Sequence, residues 1–450
     1  MVRIPDAPST GKNRTPPVFS PATLDAGRRG AAAAAYIHWR AALKRIAAFH
    51  PVHYRLRHMK IHPTLLTLGL AALPASPVLA DGAFYGDPPD ENHPWAIHDM
   101  NRPQPPRVEP ATPGTQEQPG KPPSDAVVLM DGTDATLGKW EADKSPAEPT
   151  KWVLKDGAFQ CVPGAGYVRT REQFGDCQLH VEWAAPAKPE GSSQGRGNSG
   201  IFLMGIAEIQ VLDNFNNPTY ADGFAGSLYG INAPMANALR PPGEWQSYDI
   251  VFRRPIFKDG REVDPGYVTV FVNGVLVQDH TPLDGGGTHR SRTKPRAFPE
   301  KGPLKLQDHG NPVRYRNIWY RPLPPRPIEG GTDGRISAET ATAKRAQIAA
   351  SLRTDAEKLQ GMAKTLRLME SLCYATDDSA LRSASEDIGR FVAEVTALPP
   401  DRQDARKGDV MHVNDAIQYL VKFKLVSENF PGNKELPVLI KQREWDKKKK

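Results

Sequence analysis

Between Ala126 and Pro322 the chain consists of short β-rich runs, and no run of helical periodicity interrupts them. Turn residues, chiefly Gly, Asp and Asn, separate these runs at fairly regular spacing. Many short strands without helices favour two packed sheets, because each sheet has to bury one face. The sequence therefore predicts an all-β jelly-roll sandwich, with its clearest strands at Lys151–Leu154, Ala158–Val162, Gln178–Trp183, Gly200–Met204, Glu208–Leu212, Ser247–Arg253, Tyr267–Val272, Val275–Gln278, Leu304–Gln307 and Arg314–Tyr320.

One turn in this region has an unambiguous signature. The dipeptide Asn273-Gly274 separates two of the β-rich runs, Tyr267–Val272 and Val275–Gln278. Asn-Gly suits the left-handed backbone that a two-residue hairpin loop requires. We therefore expect these two strands to pair as an antiparallel hairpin.

Residues 330–450 have a different pattern, with apolar residues at helical spacing. Three stretches are predicted to be helical, Ser337–Leu372, Ser379–Leu398 and Asp409–Leu425, with a break at Pro399-Pro400. This pattern predicts a small C-terminal α-helical domain. Its apolar stripe is expected to pack in a core, and the domain could also serve as a docking module.

The N-terminal residues are predicted to direct export rather than to fold with the sandwich. Lys60 precedes an apolar run, Leu65–Leu73, and small residues ending at Ala80 form a cleavage pattern. The run is shorter than the roughly 20 residues that span a bilayer. Residues 59–80 are therefore predicted to be a signal peptide, with no transmembrane segment. Residues 1–58 would be an upstream extension or a mis-assigned start, and residues 81–125 a proline-rich tail or linker.

The charge distribution argues against a nucleic-acid partner. Residues 1–80 contain 11 Lys or Arg and 2 Asp or Glu, so this segment has a formal net charge of +9. The whole chain has a net charge of +7, so residues 81–450 have a net charge of −2. A nucleic-acid-binding domain is expected to carry a basic surface patch. The mature chain, without residues 1–80, would not be basic overall.

Three cysteines, Cys161, Cys177 and Cys373, are too few for a disulfide scaffold or a four-Cys zinc site. Export would permit a disulfide, and Cys161 and Cys177 are close enough in sequence to pair. Free buried thiols are equally compatible with the sequence.

Alternation along two strands places long polar side chains on one face. Glu208 and Gln210 share the face opposite the apolar residues of their strand, and Lys305, Gln307 and His309 do so along another strand. If both rows open onto one hollow, they form a polar trough that could bind a sugar. A solvated sheet face would show the same pattern.

Six segments at these strands, together with an opening segment, carry a specific resemblance. The sequence is similar to the 3-keto-disaccharide hydrolase domain family (DUF1080) over residues 126–323, through 127–140, 197–205, 208–214, 226–234, 240–253, 268–279 and 303–323. The resemblance implies a concanavalin A-like jelly roll in an exported bacterial protein. It also implies chemistry on a 3-keto sugar, in which a base removes the C2 proton and the C1 substituent leaves. Gln210 stands where a jelly-roll glycosidase would carry a second acid, which argues against an ordinary two-carboxylate mechanism.

The resemblance and the alternation together suggest roles for eight residues. Glu208 or His309 would be the base, and Lys305, Arg196 or a bound divalent cation would stabilise the enolate. No particular cofactor is implied. The hydroxyl groups of the substrate would be oriented by amides and one carboxylate, namely Asn198, Gln210, Gln307 and Asp213.

Three functions are compatible with the sequence. The favoured one is an exported carbohydrate-active enzyme that cleaves 3-keto-glycosides, with a carbohydrate as its partner. The alternatives are a non-catalytic, lectin-like carbohydrate-binding domain and a structural or adhesive envelope protein.

Overall fold

The computed structural model describes residues 84–326 and 336–447. The predicted signal peptide and the extension before it lie outside these residues. Within the described residues, the β-rich region contains a one-turn helix, α1 (Asp134–Leu137), and the strands β1 (Val127–Met130), β2 (Trp140–Ala142), β3 (Val153–Lys155), β4 (Ala158–Gln160), β5 (Val168–Phe174), β6 (Cys177–Ala184), β7 (Ser199–Leu203), β8 (Ala207–Val211), β9 (Gln246–Arg253), β10 (Ile256–Lys258), β11 (Arg261–Asp264), β12 (Tyr267–Val272), β13 (Val275–Pro282), β14 (Gly302–Leu306) and β15 (Arg314–Pro322).

Two antiparallel sheets form the sandwich that the sequence predicted. The larger sheet has eight strands in the order β13-β12-β9-β6-β15-β4-β3, with β1 also paired to β15. The smaller sheet has the order β2-β5-β14-β7-β8, and β10 and β11 form a separate hairpin. Strands distant in sequence are neighbours in both sheets, as expected of a jelly roll.

The core lies between the inner faces of the two sheets. Ile209 and Val211 of β8 are fully buried there, as are Leu304 and Leu306 of β14. Their polar neighbours in sequence therefore project from the outer face of the smaller sheet. This arrangement agrees with the predicted alternation and sets the orientation of the candidate site.

The predicted hairpin is confirmed. Val272 pairs with Val275 across the two-residue turn. Asn273 and Gly274 have φ angles of 51° and 80°, the left-handed backbone that favours this dipeptide.

The C-terminal part is helical, with α2 (Ala338–Glu357), α3 (Gly361–Leu372), α4 (Asp378–Ala397), α5 (Pro400–Ala405), α6 (Lys407–Lys422) and α7 (Glu435–Gln442). The long helix predicted over 337–372 is two helices. Gly361 has a φ of 57°, which a continuous right-handed helix does not allow. The break at the proline pair is confirmed, because Pro399 caps α5 and Pro400 is its first residue.

The proline-rich segment, predicted to be a tail or linker, is in contact with other parts of the chain. Over 84–125 it forms no strand or helix, yet it makes specific tertiary contacts. Tyr374 in the helical part donates its hydroxyl to Asp99, and Tyr419 donates to the carbonyl oxygen of Gly86 at 2.7 Å. Further along, Gln116 exchanges two hydrogen bonds with the backbone of Trp245 in the sandwich.

All three cysteines are buried free thiols, so Cys161 and Cys177 do not pair. Burial raises the pKa of all three thiols. Among the helices of the described residues, none is long and apolar enough to cross a membrane.

Candidate active site

A polar cavity of about 460 Å³ opens on the outer face of the smaller sheet. Strands β7 and β8 and several loops contribute to its wall. The lining residues are Tyr167, Gln194, Asn198, Phe202, Glu208, Gln210, Tyr220, Tyr229, Gly287, Thr288, His289, Gln307 and His309.

Strand β8 places Glu208 and Gln210 in this cavity, two residues apart on the same face. In the register with β7, Gly200 lies opposite Gln210 and Phe202 lies opposite Glu208. A Cβ on Gly200 would lie 2.2 Å from Glu208 Oε1. Glycine at this position therefore leaves the space that the carboxylate occupies.

Glu208 is a buried carboxyl group without a counter-charge. The residue is only 9% exposed. Within the described part of the chain, no side chain forms an ion pair or hydrogen bond with its carboxylate. Burial raises the pKa of Glu208 to about 8, because the charged form loses its hydration. A carboxyl group with a pKa near neutrality is suited to acid–base chemistry.

Three amide side chains of the cavity lining each have an oxygen that accepts no hydrogen bond from the described residues. Asn198 donates Nδ2–H to the Gln194 carbonyl oxygen at 2.7 Å, and Gln210 donates Nε2–H to Gln194 Oε1 at 2.9 Å. Gln307 donates Nε2–H to the Tyr167 hydroxyl at 2.8 Å. The opposite amide atoms are buried and have no hydrogen-bond partner among residues 84–326 and 336–447, namely Asn198 Oδ1, Gln210 Oε1 and Gln307 Oε1.

The lining of the cavity therefore contains hydrogen-bond acceptors that have no donor in the described part of the chain. Buried polar atoms normally have partners, so three unpaired oxygens beside a carboxyl group indicate a ligand that donates hydrogen bonds. A sugar with several hydroxyl groups has this character. The same oxygens are also of the type that hard divalent cations prefer.

A metal cluster of the usual kind is not found in residues 84–326 and 336–447, where no three His, Cys, Asp or Glu side chains come together to hold an ion. Glu208 with the amide oxygens is the set that could contribute to a cation site. The predicted divalent cation stays a prediction.

A chain of three side chains borders the same cavity near Glu208. The hydroxyl groups of Tyr220 and Tyr229 are 2.8 Å apart, and the Tyr229 hydroxyl is 3.0 Å from His289 Nδ1. Backbone pairing places Tyr229 beside β8, since its N–H donates to the carbonyl oxygen of Glu208 at 3.0 Å.

Five of the eight predicted site residues line this cavity, namely Glu208, Gln210, Asn198, Gln307 and His309. The rows from β8 and β14 therefore share one hollow, with β7 between their strands. His309 is exposed at the rim, whereas Glu208 and Gln210 are buried.

The other three predicted residues do not line the cavity, which corrects that expectation. Lys305 Nζ pairs with Asp143 at 3.0 Å. Arg196 forms a two-point ion pair with Asp213 at 2.7 and 3.1 Å. Lys305, Arg196 and Asp213 are therefore each paired with an opposite charge. These ion pairs hold their side chains away from the cavity.

Besides Thr288, which also lies outside the strands, the strand pattern missed five polar lining residues, Tyr167, Gln194, Tyr220, Tyr229 and His289. All five lie outside the strands, where alternation gives no orientation. The resemblance had singled out segment 226–234, which contains Tyr229, and segment 197–205, which begins three residues after Gln194.

The sandwich and its polar cavity define a jelly-roll domain of the kind that carbohydrate-active proteins use. Residues 125–321 match the family described as the 3-keto-alpha-glucoside-1,2-lyase-like domain. The chain belongs to this family, as the sequence resemblance predicted.

Two solved structures of Parabacteroides distasonis proteins, each assigned as a glycosyl hydrolase, are similar to this chain. The first is 42% identical with a TM-score of 0.47, and the alignment covers 50% of this chain and 95% of that protein. The second is 20% identical with a TM-score of 0.33, and the alignment covers 44% of this chain and 94% of that protein. The search of curated proteins gave no match.

Proposed function

We propose that the chain cleaves 3-keto-glycosides by elimination followed by hydration, with Glu208 as the base. The observation that carries this proposal is the buried, unpaired Glu208 carboxyl group among three unpaired amide oxygens. The family description, a 3-keto-alpha-glucoside-1,2-lyase-like domain, supports this substrate class.

The chemistry follows from the acidity that a C3 ketone gives to the proton on C2. Glu208 takes that proton, and the C2–H electron pair forms the C1=C2 double bond as the C1–O bond breaks. The leaving oxygen takes up a proton and departs as an alcohol. Water then adds across C1=C2, with oxygen at C1 and hydrogen at C2, so that the net result is hydrolysis.

A single carboxyl group is sufficient for this route but not for the common glycosidase routes. Those routes use two carboxyl groups on either side of the bond that is cleaved. Within the described residues Glu208 is the only Asp or Glu that lines the cavity, and Gln210 holds the next outward position on β8. The proposed elimination therefore fits the composition of the cavity better than direct hydrolysis does.

The amide groups would bind the substrate through its hydroxyl groups. Asn198, Gln210 and Gln307 each have an oxygen available for a hydroxyl donor. Lys305 and Arg196 are engaged in ion pairs. Negative charge that develops on the C3 oxygen would therefore be stabilised by neutral hydrogen-bond donors and by His309 at the rim of the cavity.

Turnover of p-nitrophenyl 3-keto-glucoside by purified protein tests the proposal, with the unoxidised glucoside beside it. We expect cleavage of the 3-keto substrate alone. Glu208→Gln should lower kcat/KM by about 10³-fold or more, and His309→Ala should reduce turnover as well. Glu141→Gln is the matched control: Glu141 is a buried carboxylate of the same sheet that pairs with Arg169 and Arg171 outside the cavity.

Running the reaction in D₂O separates elimination from direct hydrolysis. Hydration of a C1=C2 double bond leaves deuterium at C2, whereas direct hydrolysis retains the original hydrogen. Product incubated with the Glu208→Gln protein corrects for spontaneous exchange. Tight binding of sugars in calorimetry, without turnover of the 3-keto form, would instead establish the lectin-like alternative.

We also propose that the protein is exported and that cleavage after Ala80 produces its mature form. The charged and apolar segments of residues 59–80 support this proposal. Expression in a bacterial host followed by N-terminal sequencing of the exported protein tests it. The expected first residue is Asp81, and retention of the full-length chain in the cytoplasm would contradict export.

A further inference from the structure

Residues 226–229 extend the smaller sheet beyond β8 and place a tyrosine next to Glu208. The Gln210 N–H donates to the Ser227 carbonyl oxygen at 3.1 Å, and the Tyr229 N–H donates to the Glu208 backbone carbonyl oxygen at 3.0 Å. Ile209 and Leu228 form the antiparallel bridge between these bonds.

This register determines which side chains are neighbours. Residues that lie directly opposite each other in an antiparallel pair project from the same face, with Cβ atoms about 5 Å apart. Tyr229 lies opposite Glu208, and both line the cavity. The base of the proposed reaction therefore has a phenol beside it.

The Tyr229 phenol is also connected to the surface. Its oxygen is 2.8 Å from the Tyr220 hydroxyl and 3.0 Å from His289 Nδ1. Tyr220 is 43% exposed and His289 is exposed, so both can exchange protons with water. The three side chains form a hydrogen-bonded path from the cavity to solvent.

We propose that Tyr229 is the proton donor to the departing C1 oxygen, and that Tyr220 and His289 return the proton to it. The inference rests on the proposed function. As the C1–O bond breaks, its electron pair takes the Tyr229 proton, and the phenolate is reprotonated through His289 or Tyr220 from water. Glu208 takes the C2 proton in the same reaction, so acid and base are separate groups.

The connection to solvent favours Tyr229 over Tyr167, which also lines the cavity. Tyr167 accepts a hydrogen bond from Gln307, and within the described residues no further side-chain partner links its hydroxyl to solvent. Burial, with Tyr220 and Glu208 nearby, raises the pKa of Tyr229. The phenol therefore keeps its proton until a strongly basic alkoxide forms in front of it.

Leaving-group dependence tests this role, with Tyr229→Phe assayed on two 3-keto-glucosides. Methyl 3-keto-glucoside releases an alkoxide that needs a proton, whereas the p-nitrophenyl compound releases a stable phenolate. We expect the variant to lose about 100-fold or more in kcat on the methyl substrate and less than about fivefold on the p-nitrophenyl substrate. Tyr167→Phe, a tyrosine of the same cavity outside the path, should lose the same factor on both.

Equal losses of Tyr229→Phe on the two substrates would overturn the inference and leave Tyr229 a binding residue. Thermal unfolding of each variant shows that the comparison is made on folded protein, and the ratio of the two rates does not depend on the folded fraction. Failure of the proposed function is distinguishable, since the wild-type protein would then cleave neither 3-keto substrate.

Discussion

Gly200 and Glu208 lie on neighbouring strands so close together that a Cβ on Gly200 would come within 2.2 Å of Glu208 Oε1. The φ of Gly200 is not in the left-handed region, so its backbone would accept another residue. Glycine is therefore required at this position because the Glu208 carboxyl group occupies the space of a side chain. The packing of the sheet thereby sets the position of the group that the proposed chemistry uses.

Gly200→Ala should inactivate the protein without unfolding it. The new methyl group would displace the Glu208 carboxyl group, and a misplacement of about 1 Å can cost on the order of 100-fold in rate. We expect a fall of that size in kcat on the 3-keto substrate with a small change in melting temperature.

Gly138→Ala is the control for this substitution. A Cβ at Gly138 meets its nearest atoms at 3.6 Å, an ordinary contact, and Gly138 is outside the cavity. Its kinetics should match those of the wild-type protein. Full activity of Gly200→Ala would show that the position of Glu208 is not important for turnover.

The activity should rise with pH, because the base must be ionised and burial raises the pKa of Glu208 to about 8. Below that value the ionised fraction of the free enzyme falls about tenfold per pH unit. We expect log(kcat/KM) to increase with a slope near one up to about pH 8 and then to level off. Initial rates between pH 6 and 9, corrected for uncatalysed decay, measure this. A flat profile would show that turnover does not depend on the ionisation of a group with a pKa near 8.

Much of the sandwich could be predicted from the sequence because its strands alternate between core and outer face. β12 has the predicted bounds, Tyr267–Val272, and the hairpin after it follows from the Asn-Gly turn. Strand β5 was missed. Its middle carries Arg169, Arg171 and Glu172, and the two arginines pair with Glu141 of β2, a long-range contact that gives no local pattern.

The candidate site was predictable only where strands form it. Alternation was enough to place Glu208, Gln210 and Gln307 on one face. It could not show that Lys305 would be engaged by Asp143, because that ion pair depends on a residue about 160 positions away in sequence. Gln194, which accepts hydrogen bonds from two of the amides, lies in a short 3₁₀ turn, Ser193–Gly195, whose position depends on the whole fold.

The Arg196–Asp213 ion pair should support stability rather than substrate binding. The Asp213 side chain is 3% exposed and receives two hydrogen bonds from Arg196. Asp213→Asn leaves the guanidinium without its counter-charge, which costs on the order of 3 kcal/mol in the free energy of unfolding. Because neither residue lines the cavity, KM of the folded protein should change by less than about twofold.

Chemical denaturation and steady-state kinetics on the same preparation test this assignment. The double variant Arg196→Met with Asp213→Leu should recover part of the lost stability, since no buried charge is left unpaired. A large rise in KM for Asp213→Asn, with stability unchanged, would show instead that the Arg196–Asp213 pair contributes to substrate binding.

The stability of the protein should depend on pH through Glu208 itself. Its pKa is raised from an ordinary 4.5 to about 8 in the folded state, so between these values the folded chain binds a proton that the unfolded chain has lost. The stabilising contribution is complete below about pH 4.5, declines by at most about 1.4 kcal/mol per pH unit, and is gone above about pH 8. Other groups also have shifted pKa values. Burial lowers the pKa of His180, but its hydrogen bonds to Asp249 and Glu182 outweigh this effect and raise the pKa to about 9. Such groups contribute equally to the stability of wild type and variant.

The difference in unfolding free energy between wild type and Glu208→Gln isolates this effect. Glutamine keeps the shape of the side chain and cannot ionise, so the variant should become more stable than the wild type as pH rises from 5 to 9. Denaturant titrations at several pH values measure the difference. A constant difference over that range would mean that Glu208 titrates near its ordinary pKa, and the proposed base would then be ionised at neutral pH without any effect of burial.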